Sequence, residues 1–262
     1  MFGAEMKDEP SPFLADWFEQ YVNRHRDADA LLPAPLELKY RHSLRVANNA
    51  RRIARGLELA PTEILLAFEC GLAHDVGRFP QYQRYGSYRD ATTVDHGELG
   101  CRILESEGLP AHFDTSDWDR MALAVTFHNR KATDIPEILC DGKSLLLKII
   151  RDADKLDIMD LVLQSVARDG FSELPGMLPH IRQGRELTPG VMAEVLDTKA
   201  VAMSSLVTVT DFLVMLASWF YDLNYAPARA LAASRNIIQR LEQELPDTDV
   251  VHNLFADIKA RL

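Results

Sequence analysis

Residues 71–79 read "GLAHDVGRF", with a histidine and an aspartate side by side directly after an apolar run. The run belongs to the segment "PTEILLAFECGLAHDVG", which opens on Pro61 and closes on Gly77. Proline is favoured in the first turn of a helix and glycine just after its end, so the segment is predicted to be a helix. His74 and Asp75 are therefore expected at its C-terminal end, where they either terminate the helix or hold a ligand.

Helical periodicity extends along the chain on both sides of this pair. Upstream, "LELKYRHSLRVANNARRIARGLEL" places apolar or small side chains on one helix face, with Gly56 near its end. Downstream, helices are predicted through "VDHGELGCRILESEG", "WDRMALAVTFHN" and "PEILCDGKSLLLKIIRDADKLDIMDLVLQSVA", the last with room for a break at Asp141-Gly142. The segment "RFPQYQRYGSYRDATTV", with Pro80 and Gly86 as breakers, is predicted to be a loop with at most one short helical turn. Because no stretch alternates like a strand, the predicted fold class is all-α.

The C-terminal part is also predicted to be helical. The segment "VTDFLVMLASWFYDLNYAPARALAASRNIIQRLEQEL" is amphipathic, and its apolar faces would suit either a cover over a site or a homodimer contact. Residues 169–190 are rich in proline and glycine and form the predicted seam of the chain, which here means the segment where one structural unit would end and the next begin.

The bulk composition limits the classes of partner. The 262 residues carry a net charge of -10, which disfavours a nucleic-acid polymer or an anionic membrane as the main partner. A small phosphorylated substrate is still compatible with a local cationic pocket. Three scattered cysteines fit neither a disulfide framework nor a CxxC zinc site. The N-terminus lacks a signal-peptide pattern and the longest apolar tract is interrupted by Asp211, so a cytoplasmic location is predicted.

Histidines and aspartates recur on otherwise apolar helix faces. His42 shares a face with Val46 and Ile53, and the other such residues lie in four further segments: His74-Asp75, His96, His128 and Asp154. Buried imidazole and carboxylate groups are costly unless they are paired or ligated, and both are preferred ligands of divalent ions. Taken singly, each histidine is more often a satisfied core residue, and the aspartates after residue 150 could form a solvated acidic face.

The order His42, then His74-Asp75, then Asp154 resembles the HD-domain superfamily of metal-dependent phosphohydrolases, named for the His-Asp doublet. The resemblance covers about residues 36–162, within a single all-helical domain over 1–262 that has a C-terminal helical extension at 163–262. It implies an HD-domain helical bundle with additional C-terminal helices. It also implies that the four residues of the signature hold one divalent metal ion.

Two further histidines match the binuclear members of that superfamily. By the resemblance, Asp75 would bridge to a second ion that His96 and His128 also hold, giving one or two ions per chain (Fe, Mn, Mg, Ni or Zn). Some binuclear relatives have a His-His pair where this chain has His128-Asn129, which leaves the second site open. The family pattern Ala-Asp-Lys/Arg-Leu favours Asp154 as the last ligand. Helical periodicity alone would also allow Asp152.

Such a site suggests hydrolysis of a phosphoester. A divalent ion lowers the pKa of bound water to about 7, and cations neutralise charge on the phosphoryl oxygens. Asp75, if it bridges the ions, would also orient the hydroxide. The cations predicted to act in catalysis and to bind the phosphate are Lys155, next to Asp154, and Arg78, three residues after Asp75.

Further substrate contacts are predicted in the segment after the doublet. Arg84 lies there among three tyrosines that could stack on a base, and Arg130 follows His128. The alternative is that these are ordinary surface side chains.

Three functions are therefore compared. The first is a metal-dependent phosphohydrolase acting on a phosphomonoester or phosphodiester, with a nucleotide or related small molecule as substrate. The second is a di-iron oxygenase of the same superfamily, because the set of four histidines and two aspartates also resembles that of myo-inositol oxygenase. The third is a non-catalytic helical sensor, whose relatives typically lack the ligands that this chain retains.

Overall fold

The computed structural model describes residues 13–130, 135, 144–170 and 181–261. In these ranges the regular elements are helices, accompanied by one isolated bridge between Arg182 and Thr208, so the all-α prediction is confirmed. The α-helices are α1 (Phe13–Asn23), α2 (Ala34–Gly56), α3 (Pro61–Ala73), α4 (Arg78–Tyr85), α5 (His96–Ser106), α6 (Thr115–Phe127), α7 (Ser144–Asp169), α8 (Pro189–Thr198), α9 (Val209–Ser218), α10 (Ala226–Ser234), α11 (Ile237–Glu244) and α12 (Asp249–Lys259). Among the helices described, none has the length and apolar character needed to cross a bilayer.

The chain divides into two compact units, Met1–Asp154 and Lys155–Leu262, with the boundary inside the continuous helix α7. The division after residue 162 that the resemblance implies stays a prediction. Of the predicted seam, residues 171–180 lie outside the described residues, as does the possible helix break at Asp141-Gly142.

The first unit is built around the packing of α2 on α3. A Cβ added to Gly71 of α3 would lie 2.6 Å from the Cα of Ala47 in α2, closer than real Cβ atoms approach. The two backbones therefore meet at this point only because position 71 lacks a side chain. Gly71 lies one turn before His74, which follows the last residue of α3. The contact therefore holds the C-terminal end of α3 against α2, the helix that carries His42.

A second pair of helices, α5 and α6, is held together in the same way. A Cβ on Gly97 would lie 2.6 Å from the carbonyl oxygen of Thr126, near the end of α6. A Cβ on Gly77 would lie 2.1 Å from the carbonyl oxygen of His96, which leads α5. These approaches bring the start of α5 against both the turn after His74-Asp75 and the end of α6.

The prediction for the segment after the doublet was wrong in one respect. It forms the two-turn helix α4 rather than a loop with a single turn. Pro80 is the third residue of this helix, where a missing N–H costs no intrahelical bond. The other predicted breaker, Gly86, ends the helix in the left-handed conformation at φ 62°, and its N–H bonds to the Tyr82 carbonyl.

The second unit contains the rest of α7 and the helices α8 to α12. In this unit the buried Asp211 completes a capping box with Thr208 at the start of α9. The same carboxylate accepts bonds from the backbone N–H and the hydroxyl of Thr188, which precedes α8. Asp211 therefore ties the starts of two helices together, and this accounts for the charge that interrupts the longest apolar tract.

Candidate metal centre

The predicted ligands lie at helix ends and on helix faces that meet within the first unit. His74 follows the last residue of α3 and His128 follows the last residue of α6, while His96 is the first residue of α5. His42 lies on α2, and Asp154 lies on α7. The four imidazoles are at most 5% exposed. Burial of this many polar groups in one place requires partners within the protein or a bound ion.

The ring orientations of three histidines are set by bonds from Nδ1. These bonds are His74 Nδ1 to Gly71 O (2.7 Å), His128 Nδ1 to Val125 O (2.8 Å) and His96 Nδ1 to Asp90 Oδ2 (2.6 Å). Carbonyl and carboxylate oxygens only accept, so these partners assign the proton to Nδ1 in each ring. The Nε2 atom of each ring is then left with a lone pair, which is the form that binds a metal ion.

The Nε2 atoms face one another in pairs. His96 Nε2 lies 3.1 Å from His128 Nε2, and His74 Nε2 lies 3.3 Å from His42 Nε2. When each neutral ring carries its proton at Nδ1, His96 and His128 direct two lone pairs at each other over this distance, and the lone pairs repel. Ligand atoms about 2.1 Å from a shared ion would be separated by roughly 3.0–3.4 Å at octahedral or tetrahedral angles. The donor set therefore fits a cation and is unfavourable without one.

Asp154 adds a carboxylate beside the pair of His42 and His74. Its Oδ1 lies 3.0 Å from His42 Nε2, and this buried oxygen has no hydrogen-bond partner of good geometry among the described residues. Its helix is fixed against α2 by a bond from Asn49 Nδ2 to the Ala153 carbonyl, 3.1 Å long. Asp152, the alternative ligand, belongs to none of the potential metal-binding groups found among the described residues.

Asp75 lies between the two pairs of histidines and presents one oxygen to each. Its Oδ2 is 3.5 Å from His42 Nε2 and 3.7 Å from His74 Nε2. Its Oδ1 is 3.3 Å from His96 Nε2 and 3.7 Å from His128 Nε2. A carboxylate placed in this way can bridge two ions, one on each side.

Burial controls the protonation of the cluster. It lowers the pKa of His74 to about 3 and, with the charge of Arg78, lowers the pKa of His96 to about 4. Burial alone would raise the pKa of Asp75, but Lys39 and the histidines outweigh it and hold that pKa well below its usual value. At neutral pH His74 and His96 are thus neutral and Asp75 is charged, the states that ligate divalent ions.

Two cations border Asp75 on its outer side. Lys39 Nζ lies 2.8 Å from Asp75 Oδ2, and Arg78 Nε lies 3.5 Å from Asp75 Oδ1. Both charges lie over the ring of Tyr88, at 5.5 Å and 5.6 Å from its centroid. Arg78 was predicted here from the sequence. Lys39 was missed, although its position three residues before His42 on the same helix was an available signal.

Asp90 and Asn129 form a supporting layer that the sequence analysis also missed. Besides His96 Nδ1, Asp90 accepts bonds from Arg78 (2.9 Å) and from Asn129 Nδ2 (3.1 Å). The Asn129 amide also lies 3.3 Å from both oxygens of Asp95. The residue that departs from the His-His pattern of some relatives therefore supports the orientation of His96 rather than facing the Nε2 atoms.

The remaining predicted substrate contacts have other partners in the structure. Lys155, in the second unit, donates to the side chain of Asp222 (2.5 Å) and to its carbonyl (3.0 Å). Arg84 is exposed, and its guanidinium lies over the Tyr85 ring at 5.2 Å. Arg130 is ion-paired with Asp95 (2.8 Å) and Glu98 (2.9 Å). Their roles as substrate ligands stay predictions.

Comparison with known proteins supports the same assignment for part of the chain. Residues 40–159, a little under half of the 262, match the family model described as HD domain. Comparisons with curated proteins and with solved structures gave no significant match. The matched segment contains the doublet His74-Asp75 and the other histidines whose Nε2 atoms lie near the two Asp75 oxygens. Residues 40–159 thus match the HD-domain superfamily, whose members are mostly metal-dependent hydrolases.

Proposed function

We propose that this protein is a metal-dependent phosphohydrolase that cleaves a phosphomonoester or phosphodiester in a nucleotide or a related small molecule. The observation that carries the proposal is the position of Asp75. One carboxylate presents separate oxygens to two pairs of imidazole nitrogens, and all six potential ligands come from the segment that matches the HD domain. A purely structural His-Asp pair would not require four more buried groups directed at it.

In this proposal His42, His74 and Asp75 hold one ion together with Asp154, whose Oδ1 lies 3.0 Å from His42 Nε2, and Asp75, His96 and His128 hold a second. Bound divalent ions supply Lewis acidity toward a phosphoryl group and make a coordinated water more acidic.

The protein's own groups hold these ligands in place and contribute positive charge beside them. The Nδ1 bonds fix the imidazole rings, and Asp75 keeps its two oxygens on opposite sides of the cluster. Arg78 is anchored by Asp90 and by the carbonyl of Tyr88 (2.6 Å), and among the described residues its buried Nε has no hydrogen-bond partner. That Nε is directed at the edge of the cluster, where the charge on phosphoryl oxygens needs compensation.

The first test measures metal content by mass spectrometry on protein purified without added metal or chelator. Two ions per chain are expected in the parent protein and about one in the His128→Ala variant. His252→Ala is the matched control, because this histidine is exposed and paired with Asp247 at 2.9 Å. No metal in the parent, even after reconstitution with Mn²⁺, would refute the proposal.

The second test is hydrolysis. Metal-loaded protein is assayed with p-nitrophenyl phosphate, bis(p-nitrophenyl) phosphate and a panel of nucleotides, next to the His74→Ala variant. Turnover that needs the metal and is lost in the variant is the expected result. Iron as the native metal, with oxygen consumption and no hydrolysis, would instead support the di-iron oxygenase.

The remaining expectations from the sequence stay predictions: a small phosphorylated substrate, no nucleic-acid polymer or membrane as partner, a homodimer, and a cytoplasmic location.

A further inference from the structure

We infer that Lys39 is a phosphoryl-binding residue, whose ammonium leaves Asp75 for a phosphoryl oxygen of the substrate when the centre holds metal ions. This inference rests on the proposed function, and it assigns a site residue that the HD signature does not include.

Lys39 lies on α2 one turn before His42, so both side chains point to the same side of the helix. Its ammonium lies 2.8 Å from Asp75 Oδ2, and the side chain is 15% exposed. A lysine held this deeply has few anions within reach. Asp75 is its only acidic partner among the described residues.

Lys39 and the first proposed ion would compete for the same oxygen of Asp75. Asp75 Oδ2 is also the oxygen that faces His42 Nε2 and His74 Nε2, on the side proposed for the first ion. An ion held there takes the negative charge that now stabilises the ammonium, and the two cations repel each other. Loading the centre therefore leaves the Lys39 charge without an anion from the part of the chain that the structure describes.

The two cations beside Asp75, Lys39 and Arg78, differ in their other acidic partners. Arg78 retains its own carboxylate, Asp90, at 2.9 Å, whether or not Asp75 binds an ion. Lys39 has no such second acid among the residues described, and beyond Asp75 its contact is with the ring of Tyr88. The Tyr88 hydroxyl donates to the Pro35 carbonyl (2.8 Å), so this ring is fixed to the start of α2. Lys39 is thus kept beside the cluster with an unmet need for an anion, and a phosphoryl oxygen supplies one.

The test measures two affinities by isothermal titration calorimetry, with MnCl₂ on metal-free protein and with inorganic phosphate on the Mn²⁺-loaded protein. In Lys39→Met, Mn²⁺ should bind about 10-fold more tightly, because the competing cation is gone. Phosphate should bind at least about 10-fold more weakly, because one charge-assisted hydrogen bond is lost. These opposite changes distinguish the inference from a structural role, which would weaken both.

Two further variants make the result specific. Lys39→Arg retains the charge and should bind Mn²⁺ with the affinity of the parent protein. Arg41→Gln removes a charge two residues away on the same helix, from an exposed side chain that pairs with Glu37, and should change neither affinity. If Lys39→Met does not yield folded protein, Lys39→Gln takes its place with the same expectations.

The inference is overturned if removing the charge leaves phosphate binding unchanged or weakens Mn²⁺ binding. Its failure is distinct from that of the proposed function. A parent protein that binds Mn²⁺ and phosphate but hydrolyses no phosphoester refutes the hydrolase and leaves the binding role of Lys39 supported. An active hydrolase with unaltered affinities in Lys39→Met refutes the role of Lys39 alone.

Discussion

Replacement of Asp90 by asparagine should weaken one side of the proposed metal centre and spare the other. Asp90 is not a predicted ligand, but it fixes His96 through the 2.6 Å bond to Nδ1. The substitution preserves the shape of the side chain and removes its charge. His96 belongs only to the group formed with Asp75 and His128, so the group of His42, His74 and Asp75 is not directly affected.

The size of the effect follows from the contacts that change. A hydrogen bond to a charged group contributes about 1.5–3 kcal/mol and a neutral one about 0.5–1.5 kcal/mol, so the difference at His96 is about 1–2 kcal/mol. Arg78 also loses its ionic partner at 2.9 Å. Together these changes predict an affinity for the second ion that is lower by about 10- to 100-fold, as is typical when a partner of a ligating histidine is changed.

The assay is calorimetric titration of metal-free protein with Mn²⁺, which resolves two binding events if their affinities differ. In Asp90→Asn one of the two events should weaken, while the other retains the affinity of the parent protein. Asp117→Asn serves as the control, because it removes a comparable carboxylate that pairs with Arg120 away from the cluster. Equal weakening of both events, or no change in either, would refute the view that Asp90 supports one side only.

Three other outcomes are expected. Gly71→Ala should lower the free energy of unfolding by about 1–3 kcal/mol in urea titrations, because its Cβ would meet the backbone of α2 at 2.6 Å. The control is Gly190→Ala, which should not destabilise the protein because the space around its Cβ is open. Asp154→Asn should reduce bound metal in mass spectrometry whereas Asp152→Asn should leave it unchanged, and the reverse result would make Asp152 the ligand. In the chelated protein, stability should fall as the pH drops from 6.5 towards 3. The reason is that burial lowers the pKa of His74 to about 3, so the unfolded chain takes up the proton first. The slope should reach about 1.4 kcal/mol per pH unit for this one group, and urea titrations showing constant stability between pH 6.5 and 5 would contradict it.

Local sequence signals predicted most helices of the first unit correctly because each helix has its own start, face and end. Pro61 opens α3 as expected, and Gly56 ends α2. The wrong prediction for α4 shows the limit of these signals. Pro80 was counted as a breaker, but a proline in the first turn is tolerated, and the sequence does not show on which turn it falls.

The amino-acid sequence by itself determined which side chains could form the centre: helical spacing and the order of the HD signature selected His42, His74, Asp75, His96, His128 and Asp154. Only the tertiary structure decided how they meet. Which oxygen of Asp75 faces which histidines depends on the close approach of helix backbones at Gly71 and Gly77, contacts between residues far apart in the chain. The same holds for Lys39 and Asp90, whose positions beside Asp75 and His96 follow from packing and ring orientation. Spacing along one helix describes one face, whereas a metal centre is formed by several faces at once, and their relative placement is set by how the cores between them pack.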